Sequence, residues 1–262
     1  MATFLENILE HKRKEVEQAA RRISENELRR RAENRMDLRP FFSTLLVPKN
    51  GDANVIAEIK RASPSRGPIR PDLDPAELAV RYEAGGASAL SVLCDVRFFG
   101  AHPNDLAEAR KVVSLPVLRK DFIISTYQIH ETVAMGADAV LLIVRALDPG
   151  FLRDAIELCG GLGLAALVEV HDDGEMERAI KAGARLIGIN NRNLDTFGVD
   201  LATTERLATQ LGPAHIAVAE SGIGGREDVK RLVAAGIHNF LVGESLVRSD
   251  DPAAALQGFM RD

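Results

Sequence analysis

The sequence predicts an α/β fold, a closed (β/α)8 TIM barrel preceded by a helical extension, and three observations carry that prediction. From Asn54 onward, strand-like apolar runs alternate with amphipathic helical stretches about eight times, the number such a barrel requires. Four segments, "EAGGASALSVL", "AMGADAVLLIV", "KAGARLIGIN" and "AAGIHNFLVG", share one grammar: a helix ends, the chain turns on glycine, and an apolar strand begins. They lead into strands two, four, six and eight, a periodicity that fits a closed barrel. The length of 262 residues also matches the ~250 residues of a single barrel domain. An open doubly wound sheet is the alternative. The first strand lacks a following GxGxxG turn, which weakens its dinucleotide-binding version.

Residues 1–48 read as the helical extension of this one domain. Thr3 followed by Glu6 is a capping-box signature, and Phe4, Leu5, Ile8, Leu9, Val16 and Ile23 form an apolar stripe at helical spacing. Ser24 and Glu27 repeat the capping pattern and predict a second helix. Pro40 and Pro48 punctuate the approach to the first strand. The predicted strands are 55–60, 89–95, 116–122, 139–145, 165–170, 186–191, 216–221 and 240–244. The stretches between them, such as "DPAELAVRYEAG" and "DPGFLRDAIELCG", open on Asp or Ser at a plausible N-cap, and "DPAAALQGFM" supplies a last helix.

Composition narrows the function. Apolar residues make up 46% and charged residues 27%, an ordinary globular balance with material for a large core. The net charge of −5 argues against nucleic acid as a partner. Arg29, Arg30 and Arg31 are interleaved with acids and read as a solvated helix face. Cys94 and Cys159 match no zinc or redox spacing and read as free thiols. The first residues lack an apolar signal core and no apolar run approaches ~20 residues, so a soluble cytoplasmic protein without membrane contact is expected.

Polar residues gather at the C-terminal ends of the predicted strands, where a barrel carries its active site. Glu58 and Lys60 end strand one on the same face, since side chains alternate along a strand. Strand three ends in Lys120 and Asp121, and strand five carries Glu169. Asn190 and Arg192 end strand six, Glu220 and Ser221 strand seven, and Glu244 strand eight. The bland alternative is a structural ion-pair network. Burying so many charges costs several kcal/mol per ion before pairing, so the set reads better as acid–base equipment. A phosphate site is also predicted: Ser63 follows strand one, and the glycines Gly222, Gly224, Gly225 and Gly243 follow strands seven and eight. The six histidines show no metal-ligand spacing; His171 follows strand five and could line the mouth, but reads better as a surface or loop residue. No GxSxG serine-nucleophile motif is present.

At these residues the chain resembles the indole-3-glycerol-phosphate synthase family. The resemblance runs in order through "AEIKRASPSRG", "SVLCDVRFFG", "PVLRKDFI", "GADAVLLIV", "LVEVH", "IGINNRNL", "AESGI" and "FLVGESL", across nearly the whole barrel. It implies a carboxy-lyase of tryptophan biosynthesis that converts 1-(2-carboxyphenylamino)-1-deoxyribulose 5-phosphate to indole-3-glycerol phosphate, losing carbon dioxide and water. No cofactor or metal is implied. By the same resemblance Lys120 is the general acid of ring closure, and Glu169 and Lys60, with Glu58 beside them, serve dehydration. Asn190, Ser221 and Glu220 orient the substrate, and Arg192 lies near the anthranilate carboxylate. Ser63, Gly222, Gly243 and Glu244 take the phosphate, and Phe98, Phe122 and Leu141 form apolar walls. The resemblance also places the leading helices over the barrel mouth.

Two departures stand out. Arg61 replaces a frequent lysine, and "FFGAHPNDL" replaces a more usual "FFGGS", where Pro103 fixes the backbone. The other readings open at this point are a related phosphate-binding isomerase or Schiff-base aldolase, and a silent barrel that only binds. The leading helices could equally dock a partner. The expected species is a monomer or weak homodimer acting on a small phosphorylated molecule.

Overall fold

The computed structural model describes residues 3–48, 52–64, 66–193 and 196–261. Eight parallel strands close into a barrel: β1 (Asn54–Ile59), β2 (Ala89–Leu93), β3 (Val117–Lys120), β4 (Ala139–Ile143), β5 (Ala165–Val170), β6 (Leu186–Asn190), β7 (Ile216–Glu220) and β8 (Asn239–Val242). β1 pairs with both β2 and β8, which closes the sheet and removes its edges. Each of the eight predicted strands is present. Most predictions ran past the last paired residue, because Lys60, Asp121, Phe122 and Ser221 continue the run of residue types after the backbone has left the ladder.

The helices are α1 (Phe4–Arg22), α2 (Glu25–Glu33), α3 (Pro75–Gly85), α4 (Asp105–Val112), α5 (Thr126–Ala134), α6 (Pro149–Gly161), α7 (Asp173–Lys181), α8 (Ala202–Ala208), α9 (Arg226–Ala234) and α10 (Pro252–Met260). The capping box at Thr3 and Glu6 forms as the sequence predicts, with both reciprocal bonds present. The Ser24 hydroxyl accepts from the Glu27 amide and starts α2. Asp74, Asp148 and Asp251 cap α3, α6 and α10 ahead of a proline in the first turn. The sequence reading missed the hairpin Ala62–Ser63 with Gly67–Pro68 and the one-turn helices Phe41–Thr44, Val96–Phe99 and Glu244–Val247, which are too short to leave a period.

Strand residues facing outward pack under the helices in two large clusters, and those facing inward, among them Ile56, Leu118, Leu167 and Val218, fill the barrel. The extension serves both ends. Only α1 lies over the mouth. α2 packs on α5, and the chain then reaches the base, where Phe41 and Leu45 pack against Leu186 and Ile216 at the strand N-termini. Ala89 and Ala139 leave interior room there that the two larger side chains occupy. The expectation that the leading helices sit over the mouth therefore holds for α1 alone. Among the described residues no helix is long and apolar enough to cross a membrane.

Candidate active site

A cavity of about 740 Å³ opens at the C-terminal ends of the strands. β1 sends Glu58 and Lys60 into it, β3 Lys120, β5 Glu169, β6 Asn190 and β7 Glu220. The shared face of Glu58 and Lys60 is thus the cavity face, and Lys60 Nζ lies 2.5 Å from Glu58 Oε1. Across the barrel, Lys120 Nζ donates to Glu169 Oε2 at 2.9 Å and to Glu220 Oε2 at 2.5 Å. One ammonium therefore stands between two carboxylates.

Burial alone would strip the proton from Lys120, but Glu169, Glu220 and Glu58 outweigh it and push the ammonium well above the usual lysine range. The two carboxylates are driven apart. Burial favours the neutral acid in both; at Glu169 the charges of Lys120 and His171 win and hold it low. At Glu220 burial and the nearby Glu169 prevail over Lys120 and push it up. A pair so divided can release a proton from one member and hold it on another near neutral pH.

The far side of the cavity collects the glycine-rich turns and two arginines. Ser63, Gly222, Gly243 and Glu244 all line it, joined by Ser245, Arg66 and Arg248, which the sequence reading missed. The Glu244 carboxylate is occupied by Arg248 at 3.1 Å and Arg66 at 3.5 Å, and Ser63 Oγ is buried without a hydrogen-bond partner among the described residues. Ser221 adopts φ 64°, a conformation rare for a non-glycine residue, immediately before Gly222 at φ 81°. Gly243 carries a second constraint: a Cβ there would collide with the Glu58 carboxylate, and one at Gly188 would collide with that of Glu220. Gly224 lines the cavity but Gly225 does not.

The remaining predicted residues are distributed as follows. Arg192, Phe122 and Leu141 line the cavity, with the Arg192 guanidinium donating to the Phe197 carbonyl at 3.2 Å. Phe98 does not line it; the neighbouring Phe99 does, 6.2 Å from the Phe122 ring. Phe98 instead packs edge-on against Phe4 at 5.9 Å, and Phe4 meets Phe197 at 6.0 Å. With Leu5 and Ile8, Phe4 makes α1 the roof. Arg61 pairs with Asp105 and so ties the loop after β1 to the start of α4.

Two functional-looking residues escaped the sequence reading. Lys12 is buried under α1, with Glu15, Asp95 and Asp121 at 2.7–2.9 Å. The signal was a cation four residues past Ile8, within the apolar stripe. His171 is not a surface residue: its side chain is 4% exposed, between Glu169 and Glu175. The signal was strand parity, since Glu169 and His171 stand two apart as Glu58 and Lys60 do. Cys94 does not line the cavity, and burial pushes its thiol up to about 12. Among the described residues no group of three or more His, Cys, Asp or Glu converges to hold a metal ion.

Comparison with known proteins settles the family. The model of the indole-3-glycerol phosphate synthase family matches residues 5–259. The indole-3-glycerol phosphate synthase of Desulfosudis oleivorans is 54% identical over 98% of this chain and 98% of its own length. That of Syntrophobacter fumaroxidans is 52% identical over 98% and 97%. Among solved structures, N-acetylmannosamine-6-phosphate 2-epimerase from Clostridium perfringens superposes with TM-score 0.58 at 16% identity, covering 73% of this chain and 86% of that one, a likeness of fold alone. A barrel with lysines and carboxylates facing one another across its mouth, matched end to end by proteins of one activity, belongs to the indole-3-glycerol phosphate synthase family, decarboxylating lyases of tryptophan biosynthesis.

Proposed function

We propose that Lys120 is the general acid of ring closure and that Glu169 and Lys60 divide the dehydration that follows. The single observation carrying this is the Lys120 ammonium between Glu169 and Glu220, facing a cavity with an apolar wall on one side and an anion pocket on the other. The substrate phosphate goes to Ser63, Gly222, Gly243 and the Glu244 backbone, and the aromatic ring to Phe122, Leu141 and the roof of α1. Arg192 takes the anthranilate carboxylate, and Asn190, Ser221 and Glu220 hold the remaining polar groups in register.

In that pose the aromatic carbon bearing the carboxylate attacks the ketone carbon, and Lys120 gives its proton to the ketone oxygen. An ammonium held above its usual range is a weak acid toward water but a competent one toward a developing alkoxide. Carbon dioxide then leaves, and its bonding electrons return to the ring. Finally the hydroxyl departs as water with a proton from Lys60, while Glu169 removes a proton from the adjacent carbon. Glu58, 2.5 Å from Lys60, pairs with that lysine and holds it in place.

The division of labour is tested by following both products in single turnover. The chain contains no tryptophan, so indole fluorescence reports product without protein background. Lys120→Met should stop before carbon dioxide is released. Glu169→Gln should release carbon dioxide yet form no indole, and accumulate the decarboxylated ring. Release of neither product by Glu169→Gln would move that residue into the first step, and release of both at the normal rate would remove it from the mechanism.

A further inference from the structure

His171 lies beside the reacting carboxylates, and the chemistry above gives it no task. Its position is fixed from behind. The His171 amide donates to Glu175 Oε2 at 2.8 Å, and ring Nδ1 lies 3.0 Å from the same oxygen. The other oxygen of Glu175 accepts from Arg145 Nε at 2.6 Å, which locks that carboxylate in turn. The ring is thereby held with Nε2 3.4 Å from Glu169 Oε1, within ion-pair reach. Nε2 is buried and has no hydrogen-bond partner among the described residues.

This geometry selects a charge state. A neutral ring that gives its Nδ1 hydrogen to Glu175 would turn a bare lone pair on Nε2 toward a carboxylate, two negative ends meeting in a buried place. A doubly protonated ring offers a hydrogen to each carboxylate. The groups facing the ring are Glu169 from β5, Glu175 from α7 and Arg145 from the turn after β4; Lys120 of β3 lies beyond Glu169, and Asp172 lies near Arg145. Burial opposes a charged imidazole here, and Arg145 opposes it more weakly, but the two glutamates prevail and the imidazole is shifted upward.

We propose that His171 is a positioning residue that acts as the standing counter-charge of Glu169, clamped by Glu175 and holding Glu169 ionised after Lys120 has given its proton to the substrate. The need arises within the reaction. Lys120 is shared by Glu169 and Glu220, and once its proton has gone to the ketone oxygen both lose their cation. A base that must next take a proton from carbon would then fill from elsewhere. An imidazolium on the side of Glu169 away from the substrate does not leave during the cycle. The inference rests on the roles proposed above for Lys120 and Glu169.

The test is the pH dependence of kcat for the full chain with the carboxyphenylamino-deoxyribulose phosphate, read by indole fluorescence, for the native chain, His171→Asn and Glu175→Gln. Asparagine keeps a donor and removes the charge. Without the cation Glu169 binds its proton more tightly, so the acid limb of kcat must move toward neutral pH. For His171→Asn a fall of about 10-fold in kcat, KM within about 2-fold and a limb raised by about one pH unit are expected. Glu175→Gln leaves the imidazole in place and loosens it, and should shift the limb the same way by less. Lowered thermal stability with a pH profile superposable on the native one, in whichever of the two variants folds, would overturn the proposal. Glu169→Gln distinguishes the two levels: normal turnover would bring down the assignment of the base itself. An inactive Glu169→Gln beside an unshifted His171→Asn would bring down only this inference.

Discussion

At the base of the barrel, Asp138 is almost fully buried, and each of its oxygens is filled. Oδ1 accepts from Arg35 and from the Arg39 amide at 2.9 Å; Oδ2 accepts from Arg110 at 2.5 Å and the Val117 amide at 2.9 Å. At the mouth, Lys120 joins Glu169 and Glu220 just as closely, yet among the described residues Glu220 Oε1, His171 Nε2 and Ser63 Oγ are buried beside the cavity without hydrogen-bond partners. Both ends bury charge; what differs is saturation. A buried group with every bond made holds the chain together, in this case the extension to the barrel. A buried group with bonds left over stores polarity for something that arrives later. Charge alone therefore does not mark the site; charge that lines the cavity with a bond left over does.

The largest effect should come from breaking the unfilled end. Lys120→Met is expected to lower turnover by about 10³-fold or more, because it removes the proposed acid and with it the cation nearest the proposed new negative charge. Thermal stability should change by less than about 2 kcal/mol, since Glu220 faces the cavity and can take up a proton while His171 still faces Glu169. Asp138→Asn should do the reverse. Taking the buried charge from between Arg35 and Arg110, which then keep the exposed carboxylate of Asp37, is expected to cost about 3–5 kcal/mol in denaturant titration, while kcat per folded molecule stays within about 2-fold. If both variants lost activity and stability together, saturation would not separate the two ends.

Lys12 tests the comparison at the mouth itself. Its ammonium lies 2.7–2.9 Å from three carboxylates, Glu15, Asp95 and Asp121, and does not line the cavity. Facing charge and not the cavity, it belongs with Asp138, so Lys12→Met should cost about 3 kcal/mol of stability, with turnover at saturating substrate reduced only a few-fold. The pH sign follows from the partners. Burial would push the lysine down, but the carboxylates prevail and raise it, so its contribution persists throughout neutral pH. Asp121 is held below its ordinary range, against burial, by Arg119 and Lys12, and its share is lost as pH falls through that lowered value. The stability gap between native chain and variant should be flat across neutral pH and narrow below about pH 4.

These residues also show what could be read from the chain. The strands were legible because, buried on both faces, they read as continuous apolar runs, and Lys120, Glu169 and Glu220 stood out as charges inside those runs. Asp138 did not: it occupies a turn, where an aspartate is ordinary, and its partners Arg35 and Arg110 lie about 100 and 28 positions away. Phe98 and Phe99 were indistinguishable, because a one-turn helix decides which ring faces the cavity. Lys12 was legible by periodicity and passed over, and His171 was weighed for the mouth but set down as surface, since a lysine on a charged helix and a histidine after a strand each look like surface.

The smallest effect expected is also the sharpest, because it turns on one methyl group. Gly243 and Gly225 both follow barrel strands in glycine-rich turns, and both were read as openings for a phosphate. Neither has a positive φ, so backbone freedom does not explain either of them. They differ in what surrounds them: a Cβ at Gly225 would meet nothing within 4 Å, whereas one at Gly243 would strike the Glu58 carboxylate. Glu58 has no slack to give, being 5% exposed and tied to Lys60. Gly243→Ala should therefore push Glu58, and Lys60 with it, out of register and lower kcat/KM by about 10-fold or somewhat more, with little change in thermal midpoint. Gly225→Ala should remain within about 2-fold of the native chain, since ordinary substitutions away from a contact change little. Equal loss in both would mean that the turns themselves set the phosphate pocket; loss in Gly243→Ala alone would mean that this glycine is kept for the carboxylate it makes room for.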